Sequence, residues 1–320
     1  MARILTLTLN PALDLTVRLP SLELGAVNRS EAVLAQAAGK GLNVAQVLAD
    51  LGHELSVGGF LGADNAEAFD ALFRRRGFRD AFVRVPGETR SNIKLAERSG
   101  RITDLNGPGL EVGAEAQRRL LDGLDELAAD QDLVVVAGSL PRGVQPQWLY
   151  ELLLRLKRLG LRVALDSSGE ALRQGLAAKP WLVKPNAEEL AEACGPAGEG
   201  GVDAQARALR AGGIEHLVLS EGAEGVRWYG PDGLWQATPP KVEVASTVGA
   251  GDSLLAAMVD GLLAGRPAAQ VLREATAVAA LAVTQFDFGI ADRERLARLQ
   301  AQVAVRALDR SARPQRRAEP

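Results

Sequence analysis

One cysteine, two histidines and an aromatic content of 4% leave this 320-residue chain without several kinds of chemistry. Cys194 alone can form neither a disulfide framework nor a metal pair. Its place among Glu and Ala in a helical pattern reads as a small buried or neutral thiol in a reducing cytoplasm. His53 follows Gly52 at a helix end and His216 opens the strand HLVLS, so both read as structural. No His-containing zinc site or Ser-His-Asp triad can be built, and proton transfer must fall to carboxylates, lysines or water. Charge of one sign is also scarce. A net charge of −3, with no basic stripe interleaved with aromatics, argues against nucleic acid as a partner. No apolar run is long enough to span a bilayer, and MARILTLTLNPALDL breaks at Asn10-Pro11 without a small-residue cleavage site. It reads as a first strand, and no membrane partner is expected.

What the chain does have is a 47% hydrophobic content, enough for a large α/β core. Short β-branched runs (ILTLTL, LSVGGFLG, DLVVVAGSL, RVALDSS, WLVKPN, HLVLSEG) alternate with helical patterns such as GLNVAQVLADLG and QWLYELLLRLKRLG, which predicts a parallel sheet covered by helices. After Asp252 the pattern is helical almost without interruption to about Leu308. Segments 12–37 and 89–106 break the alternation; the second is a hairpin pattern around Ser99-Gly100. Together they predict a small antiparallel sheet, either an extension of the main one or a lid over a cleft. The last dozen residues, DRSARPQRRAEP (309–320), are charged, carry two prolines and read as a disordered tail.

Two glycine-rich helix starts suggest anion handling. STVGAGDS precedes the apolar run LLAAMVDGLLAG, so Gly249, Ala250 and Gly251 present backbone amides at a helix N-terminus, where the dipole favours an anion and keeps Asp252 ionised. Alone, GAGD reads first as an ordinary helix start with an Asp in its first turn. The second is AAGKGLNVAQVL, with Gly39, Lys40 and Gly41 opening a helix and Asn43 in its first turn. Only six of the 37 basic residues are Lys, which singles out one between two glycines. No Ser or Thr follows it as in a P-loop, and no dinucleotide fingerprint follows the first strand. Successive strands end in polar groups: Asn10, Ser139, Asp166, Lys184 with Asn186, and Ser220 with Gly222. Each alone is an ordinary turn residue, but their recurrence at the ends of strands, where open α/β sheets bind ligands, favours a site. Arg90 and Asn92 sit on the candidate lid and could reach a phosphate.

In their order and spacing, TLNPALD, AAGKGLNVA, GFLG, TRSN, AGSLP, KPNAEEL, LSEGAEG and STVGAGDS resemble the PfkB (ribokinase-like) carbohydrate kinases over about residues 3–300. TLNPALD and the GKG are similar to the branch that acts on hexose phosphates. The resemblance implies one kinase domain over 1–308, a ribokinase-like three-layer α/β/α Rossmann-like core with a small β-sheet lid, and a homodimer formed through that lid. It implies ATP-dependent phosphorylation of D-fructose 1-phosphate at its 6-hydroxyl, with tagatose 6-phosphate and fructose 6-phosphate as alternative acceptors. Mg²⁺ is implied as a cofactor, with a monovalent cation beside the anion-hole loop as a further candidate. Residue by residue, it implies Asp252 as catalytic base and the amides of Gly249, Ala250 and Gly251 as anion hole. Asp14, Gly39, Lys40 and Asn43 would hold the sugar, Ser139 would add a further contact, and Lys40, Arg90 and Asn92 would meet the phosphate already present. Asn186 and Glu189 would hold Mg²⁺ through water, and Ser220, Gly222 and Gly225 would line the ATP site with Lys184 near its phosphates.

Two residues depart from the family pattern. Ala38 stands where a glycine is usual, and its methyl is expected to narrow the approach to the sugar. Glu221 brings a charge into LSEG, and is expected to turn from the phosphates toward Arg227 or solvent. From a different class, a non-catalytic sugar-phosphate sensor on the same fold is the rival reading. Such a protein is expected to have lost Asp252 or the glycines before it.

Overall fold

The computed structural model describes residues 1–196, 198 and 200–309, and the described chain divides into two compact units, residues 1–161 and 162–320. Of the tail expected over 309–320, Asp309 instead ends a strand, and 310–320 lie outside the described residues.

The first unit carries eight strands and four helices: β1 (Arg3–Thr8), β2 (Ala12–Leu19), β3 (Ala32–Ala38), α1 (Lys40–Asp50), β4 (Glu54–Gly62), α2 (Glu67–Arg76), β5 (Arg79–Val85), β6 (Ser91–Glu97), β7 (Ile102–Asn106), α3 (Ala114–Ala128), β8 (Leu133–Ala137) and α4 (Pro146–Arg158). Strands β5, β4, β1 and β8 lie side by side and all parallel. Their sequences explain this: LVVVA and most of ELSVGGFLG are buried on both faces, as a parallel strand covered by helices must be. The helices are amphipathic, and α4 starts with Pro146, whose missing amide costs nothing in a first turn.

Strands β3, β2, β6 and β7 form the predicted second sheet. The outer pairs are antiparallel, but β2 and β6 run parallel, with Asp14 opposite Asn92. The sheet is therefore mixed, because its two hairpins join side by side through strands that point the same way. It is also thinly covered, and Val33, Leu34, Ile102 and Leu105 are exposed.

The second unit adds β9 (Arg162–Asp166), α5 (Gly169–Ala177), β10 (Leu182–Val183), α6 (Ala187–Cys194), α7 (Gly201–Ala211), β11 (His216–Ser220), β12 (Val226–Gly230), β13 (Gly233–Thr238), α8 (Ala250–Leu263), α9 (Ala268–Ala282), α10 (Arg293–Gln302) and β14 (Ala304–Asp309). Strands β9, β10 and β11 are parallel, and β12, β13 and β14 continue antiparallel. Helix α8 is buried from Asp252 to Gly261. The expected helix to Leu308 ends at Gln302 instead. AVRALD is a strand because the open edge of β13 satisfies its backbone, and a ladder outweighs the modest helix preference of Ala, Arg and Leu. Cys194 is exposed at the end of α6 rather than buried, and what cover it has pushes its thiol pKa up, so it stays neutral. Among the described residues, no helix is long and apolar enough to cross a membrane.

Candidate active site

In the first unit, polar side chains gather after β1, around the N-terminus of α1 and on the central pair of the small sheet. Asn10 donates through Nδ2 to Ser139 Oγ at 3.1 Å and to Leu140 O at 3.3 Å, joining the ends of β1 and β8. Arg90 donates to the carbonyls of Asn10 (3.3 Å) and Pro11 (3.4 Å), and its own carbonyl accepts from Leu13 N at 2.8 Å. Asn92 Nδ2 donates to Asp14 Oδ1 at 3.0 Å. The Oδ1 of Asn92 is buried with no partner among the described residues, an acceptor suited to a ligand hydroxyl.

Burial pushes the Asp14 carboxyl above its ordinary value, against the hydrogen bond from Asn92 and the charges of Lys94 and Arg90. Burial likewise lowers Arg90, opposed by Asp14. Both charges are therefore partly desolvated and held in a polar surface ready for a ligand.

Close packing explains the glycines around Lys40. A Cβ on Gly41 would lie 2.4 Å from Thr8 Oγ1 and 3.0 Å from Leu7 O, and one on Gly39, at φ 137°, would lie 2.7 Å from Thr8 Cγ2. They let α1 start directly over the end of β1, which places Lys40 beside Gly138 and buries Asn43. Ala38 is 1% exposed, so its methyl packs inside rather than narrowing an open approach.

In the second unit the arrangement centres on the start of α8. Gly249 is its N-cap in the left-handed region (φ 82°), and a Cβ there would strike the Phe288 ring at 2.8 Å. A Cβ on Gly251 would lie 3.2 Å from Lys184 Nζ, so the lysine ammonium stands against the first helical turn. Lys184 pairs with Asp166 at 3.1 Å, the two side chains 5% and 0% exposed. Asp252 sits in the same turn and is 5% exposed. Backbone amides, a dipole and a buried ammonium thus converge beside one carboxylate, an arrangement that can hold an oxyanion and take a proton.

The KPN segment and the turn after β11 are linked, since Ser220 N donates to Pro185 O at 3.0 Å. Asn186 and Glu189 form a reciprocal capping box on α6: Asn186 Oδ1 accepts from Glu189 N at 2.7 Å and Glu189 Oε2 accepts from Asn186 N at 2.9 Å. Gly222 and Gly225 take positive φ in the tight turn that follows Ser220. Glu221 turns to Arg227, as expected. The sequence reading missed three participants: Asp166 as counter-ion to Lys184, Phe288 against Gly249, and Asp203, which joins Arg227. For Asp166 the signal was an acid closing the buried strand RVALD; the other two contacts are long-range and had none.

The pfkB family carbohydrate kinase model matches residues 7–293. A 1-phosphofructokinase of Vibrio cholerae serotype O1 is 47% identical over 309 residues, covering 96% of this chain and 97% of its own length. One of Escherichia coli K12 is 48% identical over 305 residues, covering 94% and 97%. Among solved structures, phosphofructokinase-2 from E. coli in complex with potassium has a TM-score of 0.86 at 29% identity, covering 94% of this chain and 99% of its own. That enzyme is also solved in a tetrameric inhibited form, with a TM-score of 0.85 at 28% identity and the same coverage. The fold is accordingly ribokinase-like α/β.

Proposed function

We propose that this chain, which belongs to the pfkB family of carbohydrate kinases, transfers the terminal phosphoryl group of ATP to the 6-hydroxyl of D-fructose 1-phosphate, giving fructose 1,6-bisphosphate. The near-full-length identity to 1-phosphofructokinases carries the choice of acceptor. Asp252 takes the hydroxyl proton, and the amides of Gly249, Ala250 and Gly251 with the Lys184 ammonium hold the charge on the transferring group. Phosphoryl transfer needs positioning and charge neutralisation more than covalent help, which fits a site made of backbone, one Lys and one carboxylate. Asp14, Asn43 and Asn92 orient the sugar, with Gly39 and Ser139 beside them, and Lys40 and Arg90 take its 1-phosphate. Ser220, Gly222 and Gly225 receive the nucleotide.

Among the described residues, no group of three or more His, Cys, Asp or Glu could hold a metal directly. Asn186 and Glu189, whose Oδ1 and Oε2 also close the capping box of α6, would reach Mg²⁺ bound with the nucleotide through water, where it would neutralise phosphate charge. Potassium in the E. coli phosphofructokinase-2 structure supports a monovalent cation here as well. We take residues 1–308 as one catalytic domain with the small sheet as its lid, and the exposed Val33, Leu34, Ile102 and Leu105 support a homodimer through that sheet. Use of ATP and a lone cysteine fit the cytoplasm.

The likeness to phosphofructokinase-2, which is also solved in complex with fructose-6-phosphate, supports a second reading, a hexose 6-phosphate phosphorylated at its 1-hydroxyl. Specificity constants for fructose 1-phosphate, fructose 6-phosphate and tagatose 6-phosphate separate the readings. Fructose 1-phosphate is expected to lead by about a hundredfold or more, and preference for a 6-phosphate overturns the choice. ATP binding without turnover of any sugar phosphate would instead favour a sensor.

A further inference from the structure

On the nucleotide-site reading above, Glu221 carries the wrong charge, a carboxylate between Ser220 and Gly222 in the turn that receives a polyphosphate. Its surroundings resolve the conflict. Arg227 donates from Nε to Glu221 Oε2 at 2.9 Å and from Nη2 to Oε1, a two-pronged fork. The third guanidinium nitrogen, Nη1, donates to Asp203 Oδ1 on α7, and the Tyr229 hydroxyl donates to the same oxygen. Arg227 and Tyr229 stand two apart on β12 and so share a face, and Arg227 lies opposite Leu219 in the ladder, two residues before Glu221.

Glu221 and Arg227 are each about a fifth exposed, at 20% and 19%, so each depends on the other to offset lost hydration. The bond to Glu221 raises the Arg227 guanidinium above its ordinary value, while burial, with the Tyr229 hydroxyl already given to Asp203, raises Tyr229. One cation thus serves two carboxylates.

We propose that Arg227 is a positioning residue for nucleotide binding. It holds the Glu221 carboxylate away from the phosphates and braces the 220–225 turn against α7 through Asp203 and Tyr229. The backbone carries the effect onward. Glu221 N donates to Gly225 O at 2.9 Å, closing the turn, and Ser220 N donates to Pro185 O, next to Lys184. Without Arg227, a desolvated carboxylate is released beside the phosphates, while Lys184 stays held by Asp166. The sugar-phosphate residues Asp14, Arg90 and Asn92 have no part in this network.

The test rests on the nucleotide reading and uses the full chain, with MgATP affinity measured by titration calorimetry and both Michaelis constants by steady-state kinetics. Arg227→Leu is expected to raise the Kd and KM for MgATP by about tenfold, leaving kcat and the sugar-phosphate KM within about twofold. Glu221→Leu with Arg227→Leu is expected to restore MgATP affinity to within about threefold, since the unpaired, partly buried carboxylate is gone and the half-exposed Asp203 stays hydrated. Should Arg227→Leu fail to fold, Arg227→Lys keeps the charge and loses the fork, and a smaller rise of the same kind is expected.

An unchanged MgATP Kd in the folded single variant overturns the inference, as does an equal loss for both substrates or a double variant no better than the single. Wild-type protein that binds MgATP but does not phosphorylate fructose 1-phosphate overturns the proposed acceptor and leaves this inference standing. Wild-type protein that binds no MgATP overturns both.

Discussion

Asp14 and Arg90 in residues 1–161 feel each other's charge without a direct bond, whereas Asp166 and Lys184 in residues 162–320 form an ion pair, and the two sets are built differently. Asp14 and Arg90 are half-buried, and burial moves both toward their neutral forms. Asp14 stands on β2 and Arg90 immediately before β6, at a thinly covered sheet that a ligand can reach. Asp166 and Lys184 are sealed in, and the lysine lies against the first turn of a buried helix. Moving the second pair means breaking a core, at a cost of about 3–5 kcal/mol if one partner is lost. On the proposed function, the acceptor would be met by adjustable side chains and the phosphoryl group by a preorganised arrangement of backbone and buried charge.

The largest effect that would test this contrast is at Asp252. Asp252→Asn keeps the helix start and removes the proposed base, so turnover is expected to fall about a thousandfold with ATP affinity nearly unchanged. Stopped turnover with calorimetric ATP binding checks it, and near-normal turnover removes Asp252 from the mechanism. The next effect belongs to the other unit. Arg90→Leu is expected to raise the sugar-phosphate KM by about tenfold to a hundredfold while the ATP KM stays put. If both constants rise together, the division of recognition between the units fails.

The smallest effect is in stability against pH, and it belongs to the second unit alone. His216 lies between Trp181 and Trp228, and burial, with the charges of Arg210 and Arg162, lowers its pKa to about 4. The folded value lies below that of the unfolded chain, near 6.5. The neutral ring's contribution is therefore complete above about pH 6.5 and is lost as pH falls toward 4, amounting to on the order of 2–3 kcal/mol. Urea unfolding of wild type and His216→Phe between pH 7.5 and 4.5 reads it. The variant is expected to lose much of the slope, and an unchanged slope would assign it to other groups.

The sequence reading recovered most of the architecture because the chain writes its elements in two separable periods. Buried runs such as ILTLTL and LVVVA, and the glycine-started helices after Ala38 and Val248, could be assigned locally. It passed over β5, β12 and β13. VRWYG and GLWQAT are short, but they flank Pro231-Asp232 and carry Trp228, Tyr229 and Trp235, which is a hairpin signal. AVRALD had no such signal. Its residues suit a helix as well as a strand, and the edge of β13 decided between them.

The candidate site divides in the same way. Residues at helix starts and strand ends are legible because local chemistry marks them: a glycine needed for close approach, a carboxylate in a first turn, Asn and Glu three apart in a capping box. Most of the elements and the polar residues at their ends were therefore legible in the sequence alone, since each rests on local chemistry. Only tertiary structure decided that Asn92 faces Asp14 across 78 positions, that Lys184 is neutralised by Asp166, and that Glu221 is drawn off by Arg227 with Asp203 and Tyr229 behind it. Those pairings depend on strand register and on which groups burial leaves in need of a partner, and both are set when the sheets form.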